Sequence, residues 1–289
     1  MRTTRTQVTY TFYTSPASSP PSINNPADAL LSSAAFLNNP NPPSLPHILE
    51  ENDAFLIACY SPHPLVQGLR ERTGKPVLGI FEASVDAAIA LLSIPKGRKR
   101  KWGIVTTGEG WRRPLEEGVK MLLGRVPPDR LDEEGSFKAV ECVGLNAGDL
   151  HDEPEDEGVV GQGEREGKVE GKVKDATGRL LKDGDVGVVV LGCAGMVGME
   201  EWVRDVGMRV EGEESRRRDG GGEGGGAGGE AKGGGEGQIS VVDGVKAGLM
   251  ILEEMVKRRP AGEDGEGEFA VAKGLKEGFE EVFGKVRSE

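Results

Sequence analysis

Short, continuously apolar runs recur along the chain, and between them apolar positions fall three and four residues apart. The runs VTYTFYT (Val8–Thr14), AFLIACY (Ala54–Tyr60), PVLGIF (Pro76–Phe81), WGIVTT (Trp102–Thr107), FKAVECVG (Phe137–Gly144), VGVVVLGC (Val186–Cys193) and ISVVDG (Ile239–Gly244) predict strands. Most are apolar throughout rather than alternating, as parallel strands covered on both faces require. The stretches PLVQGLRERTG, SVDAAIALLS, RPLEEGVKMLLG, VKDATGRLLKDG and VKAGLMILEEMVKR predict helices, and several stop at a glycine, as C-caps do. Strand–helix alternation of this kind predicts an α/β fold with right-handed crossovers.

Two segments interrupt the pattern. Residues 152–172 are rich in Glu and Gly, and residues 211–238 are almost entirely Gly, Glu and basic residues. Neither offers enough apolar side chains to offset chain entropy, so both are expected to be disordered insertions. The second is no phosphate-binding loop: no strand leads into it and no Gly-Lys-Ser/Thr closes it. The tail, 259–289, is expected to be weakly helical and peripheral.

The chain also repeats itself. FLIACYSPHPLVQGLRERTGKPVLGIFEASVDAAIALL (Phe55–Leu92) and VVVLGCAGMVGMEEWVRD … ISVVDGVKAGLMILEEM share an order: strand, Cys, tight loop, helix, strand, acidic residue, Val-containing helix. Cys59 lies 23 positions before Glu82, and Cys193 lies 24 before Asp243 once residues 212–237 are set aside. Such self-similarity predicts two related half-domains, 1–100 and 101–258. Functional groups of open parallel sheets lie beyond the carboxyl ends of strands. Each half therefore carries one strand-end thiol, Cys59 and Cys193, and a pseudo-twofold axis would set them face to face. A lone strand-end cysteine is more often a small core residue, but two at matching positions favour function. Cys142, mid-strand and without a counterpart, is assigned to packing.

Composition narrows the partners. The 289 residues carry 48 Asp+Glu against 36 Lys+Arg, a net charge of −12. With no basic stripe except the isolated run KGRKRKW (Lys96–Trp102), read as a solvated loop, a nucleic-acid partner is not expected. Three cysteines do not make a disulfide scaffold. The amino terminus lacks a signal-peptide h-region, and no apolar run is long enough to cross a bilayer. A soluble, cytoplasmic protein with reduced thiols is expected. The histidines, His47, His63 and His151, are scattered and form no metal-ligand cluster.

The motifs LGCAGM, VVDGV, ACYSPHPL, PVLGIFEAS and GIVTTG, in that chain context, resemble the Asp/Glu/hydantoin racemase superfamily, and most closely its fungal hydantoin-racemase-like branch. The resemblance spans most of Val8–Arg258 outside the insertions. It implies two Rossmann-like α/β half-domains with parallel sheets, related by pseudo-twofold symmetry, and an active site between them. It further implies cofactor-independent racemisation of a small hydantoin-like or allantoin-like ring, with Cys59 and Cys193 as the catalytic pair. One thiolate would remove the proton at the stereocentre while the other thiol returns one on the opposite face. A helix amino terminus near each cysteine would lower its pKa. The backbone N–H groups of Tyr60, Ser61, Ala194 and Gly195 would bind the developing oxyanion. Thr106 and Thr107 resemble a substrate-contacting loop, though a plain strand-end turn fits them equally. Glu82 and Asp243 are read as strand-end residues that orient the cysteine loops rather than transfer protons themselves, and His63 either as a plain loop histidine, the commoner case, or as a neighbour that raises thiolate character at Cys59.

Members of the superfamily usually begin with a strand reading like ILVINPNS. Here MRTTRTQVTYTFYTSPASSPPSINN matches their second strand instead, which implies an incomplete first half: a shortened gene, an impaired enzyme or a rearranged sheet. Two other readings stay open: a superfamily decarboxylase or cis–trans isomerase acting on a small dicarboxylate, and a non-catalytic remnant that binds a small molecule. Homo-oligomerisation is also left open.

Overall fold

A computed structural model describes residues 8–41, 43–92, 101–124, 136–150, 162–219 and 239–258. An irregular segment, 8–25, leads into helix α1 (Pro26–Leu37). That helix starts where the Asn25 side chain accepts hydrogen bonds from the Ala27 and Asp28 N–H groups and Pro26 takes the first turn. Next come α2 (Leu45–Glu51), β1 (Phe55–Ile57), α3 (Pro64–Arg70), β2 (Val77–Gly79) and α4 (Ile80–Leu92). The second run comprises β3 (Lys101–Thr106), α5 (Arg112–Leu123), β4 (Phe137–Cys142), α6 (Gln162–Leu181), β5 (Val186–Gly192), α7 (Glu200–Asp219), β6 (Ser240–Asp243) and α8 (Gly244–Arg258).

Every strand pairing is parallel. β1 and β2 form a two-stranded sheet, and the other four strands order as β4-β3-β5-β6. All seven residues of β5 are buried, which explains its unbroken apolar sequence. Its side chains alternate between two cores: Val188 and Val190 join Val242 beneath α4 and α8, whereas Val189 and Leu191 join Val241 beneath α6 and α7. A third cluster packs Phe55, Ile57 and Val77 against Ile48, Val66 and Leu69 of α2 and α3.

The two sheets fall on either side of residue 100, but two helices pack across that division. α4 follows β2 yet packs on β5 and β6, and α8 follows β6 yet packs on β1 and β2. The two helices also pack on each other, and the start of α8 nearly touches the start of α4. A Cβ on Gly244 would stand 2.7 Å from the Ile80 carbonyl oxygen.

Two expectations need correction. Val8–Thr14 forms no strand and pairs with none among the described residues. It is held by side chains instead, with the Tyr10 hydroxyl bonded to Glu253 of α8 and Asn52 donating to the Tyr13 hydroxyl. An apolar run becomes a strand only where a neighbouring backbone edge accepts it. The expected disordered insertions are also shorter than composition suggested, since α6 takes in Gln162–Lys172 and α7 runs through 211–219. In α6, Val169 and Val173 pack on the core and Lys174 pairs with Glu170 and Asp205, so the Glu/Gly-rich stretch gains a buried stripe and a polar face. The rest of both insertions, the 259–289 tail, His151 and most of the basic run at 96–102 lie outside the described residues.

Candidate active site

Sheet register fixes where the two thiols stand. Ile57 pairs with Gly79 at the end of the first sheet, and Leu191 pairs with Asp243 at the end of the second. Cys59 and Cys193 each lie two residues beyond these paired ends. The two thiols thus share the same offset from a paired strand end, but the register differs from the expected one. The counterpart of Asp243 is Gly79, and Glu82 is not a strand-end residue but the third residue of α4. Both thiols are half-buried. They are near enough that charge on Cys193 pushes the Cys59 pKa upward.

The Cys59 loop is tightly wound. The Ser61 N–H donates to the Cys59 carbonyl at 3.0 Å, and the His63 N–H donates to the Ser61 carbonyl at 2.7 Å. The Ser61 hydroxyl lies 3.5 Å from the Cys59 sulfur and is buried. The Tyr60 side chain turns into the core, edge-on to Phe81 and hydrogen-bonded to the Ser84 hydroxyl at 2.9 Å. His63 accepts the Leu65 N–H on Nδ1 and so caps α3. Burial pushes its pKa down to about 4. It is a neutral cap of α3 and sets no positive charge beside Cys59.

The Cys193 loop is a single 3-10 turn, Ala194–Met196. The Met196 N–H returns to the Cys193 carbonyl at 3.0 Å. The strand before it is clamped from β3. The Thr106 hydroxyl donates to the Gly192 carbonyl at 2.6 Å, and a Cβ on Gly192 would lie 2.7 Å from the Thr106 Cβ. Only glycine permits that approach. Thr106 is wholly buried and its hydroxyl is already donated, so it positions the Cys193 strand rather than meeting a substrate. Thr107 is buried beside it, and its carbonyl accepts the Gly144 N–H at 3.0 Å.

The two acidic candidates serve the scaffold. Glu82 takes a paired hydrogen bond from Arg70 at 3.2 and 2.7 Å, tying α4 to α3. Asp243 accepts the Val245 and Lys246 N–H groups on Oδ1 and caps α8. Lys246, the α8 equivalent of Glu82, pairs with Glu200 of α7 at 2.5 Å. Each half thus has an ion pair joining the helix after its cysteine to the helix after its second strand, with the charges exchanged. Arg70 and Glu200 were not singled out in the sequence, and the i,i+12 spacing of Arg70 and Glu82 gives no local signal for their pairing.

Electrostatics correct a further expectation. Burial pushes Cys59 up to about 11, with the Ser61 hydroxyl opposing and the Cys193 charge adding to the rise. Cys193 is also raised by burial, against the pull of the Gly195 amide. No long helix starts at either cysteine: the element after Cys193 is a three-residue turn, and α3 begins beyond Cys59 with its Leu65 N–H taken by His63. Desolvation therefore prevails over any helix dipole. Proton transfer between the thiols needs one thiolate and one thiol. Its rate should climb about tenfold per pH unit where thiolate is scarce, and fall again once the second thiol ionises. A pH–rate profile already flat between pH 6 and 7 would show that the thiols are not raised.

Among the described residues no group of three or more His, Cys, Asp and Glu side chains is placed to hold a metal ion. No helix among them is long and apolar enough to cross a membrane. A shallow surface dent of about 10 Å³, lined by Gly184, Val186, Gly207 and Ile239, lies at the amino ends of β5 and β6, the opposite end from Cys193.

Comparison with known proteins adds to this geometry. The family model described as Asp/Glu/Hydantoin racemase matches residues 2–211. An uncharacterized protein of Schizosaccharomyces pombe, C1F7.10, is 26% identical over 249 residues, covering 85% of this chain and 79% of its own. Protein DCG1 of Saccharomyces cerevisiae is 24% identical over 205 residues, covering 65% of this chain and 70% of its own. Among solved structures, the allantoin racemase of Pseudomonas fluorescens superposes with a TM-score of 0.52 at 20% identity, covering 82% of this chain and 73% of its own. That of Klebsiella pneumoniae gives 0.53 at 20% identity, covering 88% and 82%.

Proposed function

The chain belongs to the Asp/Glu/hydantoin racemase family, and from that premise we propose that it racemises a small hydantoin-like or allantoin-like ring, without a cofactor, by proton transfer at the stereocentre between Cys59 and Cys193. The observation that carries this reading is the pair of half-buried thiols beyond paired strand ends, near enough that charge on Cys193 is felt at Cys59. The likeness in fold to two allantoin racemases supports the ring-ureide class.

One cysteine, as thiolate, takes the proton from the ring carbon. The electron pair moves onto the adjacent carbonyl oxygen, and the other cysteine, as thiol, delivers its proton to the opposite face. No net proton is gained or lost. Because the Ser61 N–H is engaged with the Cys59 carbonyl, the oxyanion falls to the amides of Tyr60, Ala194 and Gly195. Preorganised donors of this kind act where water is excluded, and they stabilise the charge only as it develops.

The test is proton NMR of single enantiomers of allantoin and 5-substituted hydantoins in D2O. The signal at the stereocentre should disappear faster than in buffer, with optical rotation decaying alongside it. Release of carbon dioxide, or cis–trans isomerisation of a dicarboxylate, with no such exchange would replace this reading with another chemistry of the same fold.

A further inference from the structure

Two asparagines stand side by side before α1, and the fold uses them differently. Asn25 engages both ends of its amide locally: Oδ1 caps the helix, and Nδ2 donates to Asp28 at 2.8 Å. Asn24 engages only one end. Its Oδ1 accepts the Ala147 N–H and the Ser22 hydroxyl, each at 3.3 Å, while its backbone N–H donates to Asp28 at 2.9 Å. A backbone N–H can only donate, so the Asn24 oxygen must face Ala147 and the Nδ2 group must face away. Among the described residues neither hydrogen of that group meets an acceptor. A half-buried amide is thus held in place with two donors open.

Its position is at the carboxyl ends of the strands, where the chain crosses from one half to the other. Ala147 belongs to the loop that follows β4. The Asn24 carbonyl oxygen lies against the turn that follows β3, where a Cβ on Gly110 would be 3.2 Å from it. The turn just after Ala147, Gly148–Leu150, packs on Ala194–Met196, the turn that follows Cys193. Ile23 packs on the cluster that holds Tyr60, the neighbour of Cys59, and Ala194 packs on the same cluster. The Asn24 loop therefore lies among the turns that carry both thiols.

We propose that Asn24 is a substrate-binding residue whose Nδ2 group donates to a carbonyl oxygen of the ring held between Cys59 and Cys193. The proposal deepens the racemase reading and rests on it. A donor-only group recognises a carbonyl and offers nothing to a ring N–H, so this contact sets which edge of a cyclic ureide faces the amino-terminal segment.

Asn24→Asp separates the contact from the scaffold. It keeps an oxygen toward Ala147 and Ser22 and replaces the two donors with an acceptor, whereas Asn24→Ala removes both ends. Binding of unsubstituted hydantoin and of allantoin to the full-length chain is read by isothermal titration. KM and kcat are read from the decay of optical rotation of a single enantiomer, at the pH of fastest turnover for each variant. Asn24→Asp should weaken ring binding and raise KM by about ten- to a hundredfold, the effect of leaving a buried acceptor without its donor. Its kcat and unfolding midpoint should stay near the original. Asn24→Ala should bind as weakly and also unfold at a lower temperature, because the Ala147 N–H loses its acceptor. If Asn24→Asp binds the rings like the original chain and only Asn24→Ala is impaired, Asn24 is a strap between the halves and the proposal is overturned. Ring binding that depends on Asn24, without proton exchange at any stereocentre, overturns the racemase reading alone. If neither hydantoin nor allantoin binds the original chain, both fall.

Discussion

Cys59→Ser and Cys193→Ser are each expected to slow racemisation by on the order of 10²–10⁴-fold, the usual worth of a positioned acid or base. Serine keeps the shape of the side chain, and each cysteine sits half-buried in a loop whose backbone bonds do not involve the sulfur. Unfolding midpoints should therefore stay near the original. The loss is chemical, because a hydroxyl is far too weak an acid to alternate between the two protonation states. Cys142→Ser is the control. Cys142 is buried at the end of β4 in register with Thr106, faces Glu109 and Arg112, and is pushed up to about 12 mainly by burial. Its replacement should leave turnover nearly intact. If Cys59→Ser still washed deuterium into one enantiomer without inverting it, Cys193 would be acting as a single base with water returning the proton. Equal losses from all three variants would sink the two-base assignment.

The largest structural effect is expected where the two halves cross. Gly244→Ala puts a methyl group 2.7 Å from the Ile80 carbonyl oxygen. That oxygen belongs to a backbone held at the start of α4 and has little freedom to move. Overpacking of this kind costs about 1–3 kcal/mol. Gly178→Ala should shift stability the other way. Gly178 lies inside α6 with nothing within 4 Å of its added methyl, so alanine should gain about 0.5–1 kcal/mol from reduced unfolded-state entropy. Urea denaturation with unchanged m-values reads both effects. A neutral Gly244→Ala would mean that the α4–α8 crossing is softer than its geometry.

How much of this the sequence disclosed depends on where the information lay. β3, β5 and β6 were legible because their residues are apolar on both faces, a property each run carries within itself. β1 and β2 were legible as runs, but they shrink to three residues each, since strand length is set by the partner. VTYTFYT had the right residues and no edge to join. α1 passed unnoticed although Asn25–Pro26 is a recognisable helix start, because its few buried positions, Ala29, Ser32 and Ser33, make no apolar stripe. The thiols were found because pattern alone places them at strand ends. Their direction of pKa shift was not, since it depends on burial in the folded chain. The pairing of Asp243 with Gly79's position rather than Glu82's was likewise hidden. Residue counting across an insertion cannot give register, and only the backbone pairing does.

The exchange of α4 and α8 has a consequence for cooperativity. Each sheet is covered by a helix that begins in the other half, so neither half keeps its core if its partner melts. Partial opening of one half, which in many two-part enzymes is an inexpensive local fluctuation, here exposes both cores together. The spacing between the two sulfurs is therefore guarded by the stability of the whole molecule, and the proton transfer proposed between them would draw its precision from global rather than local order.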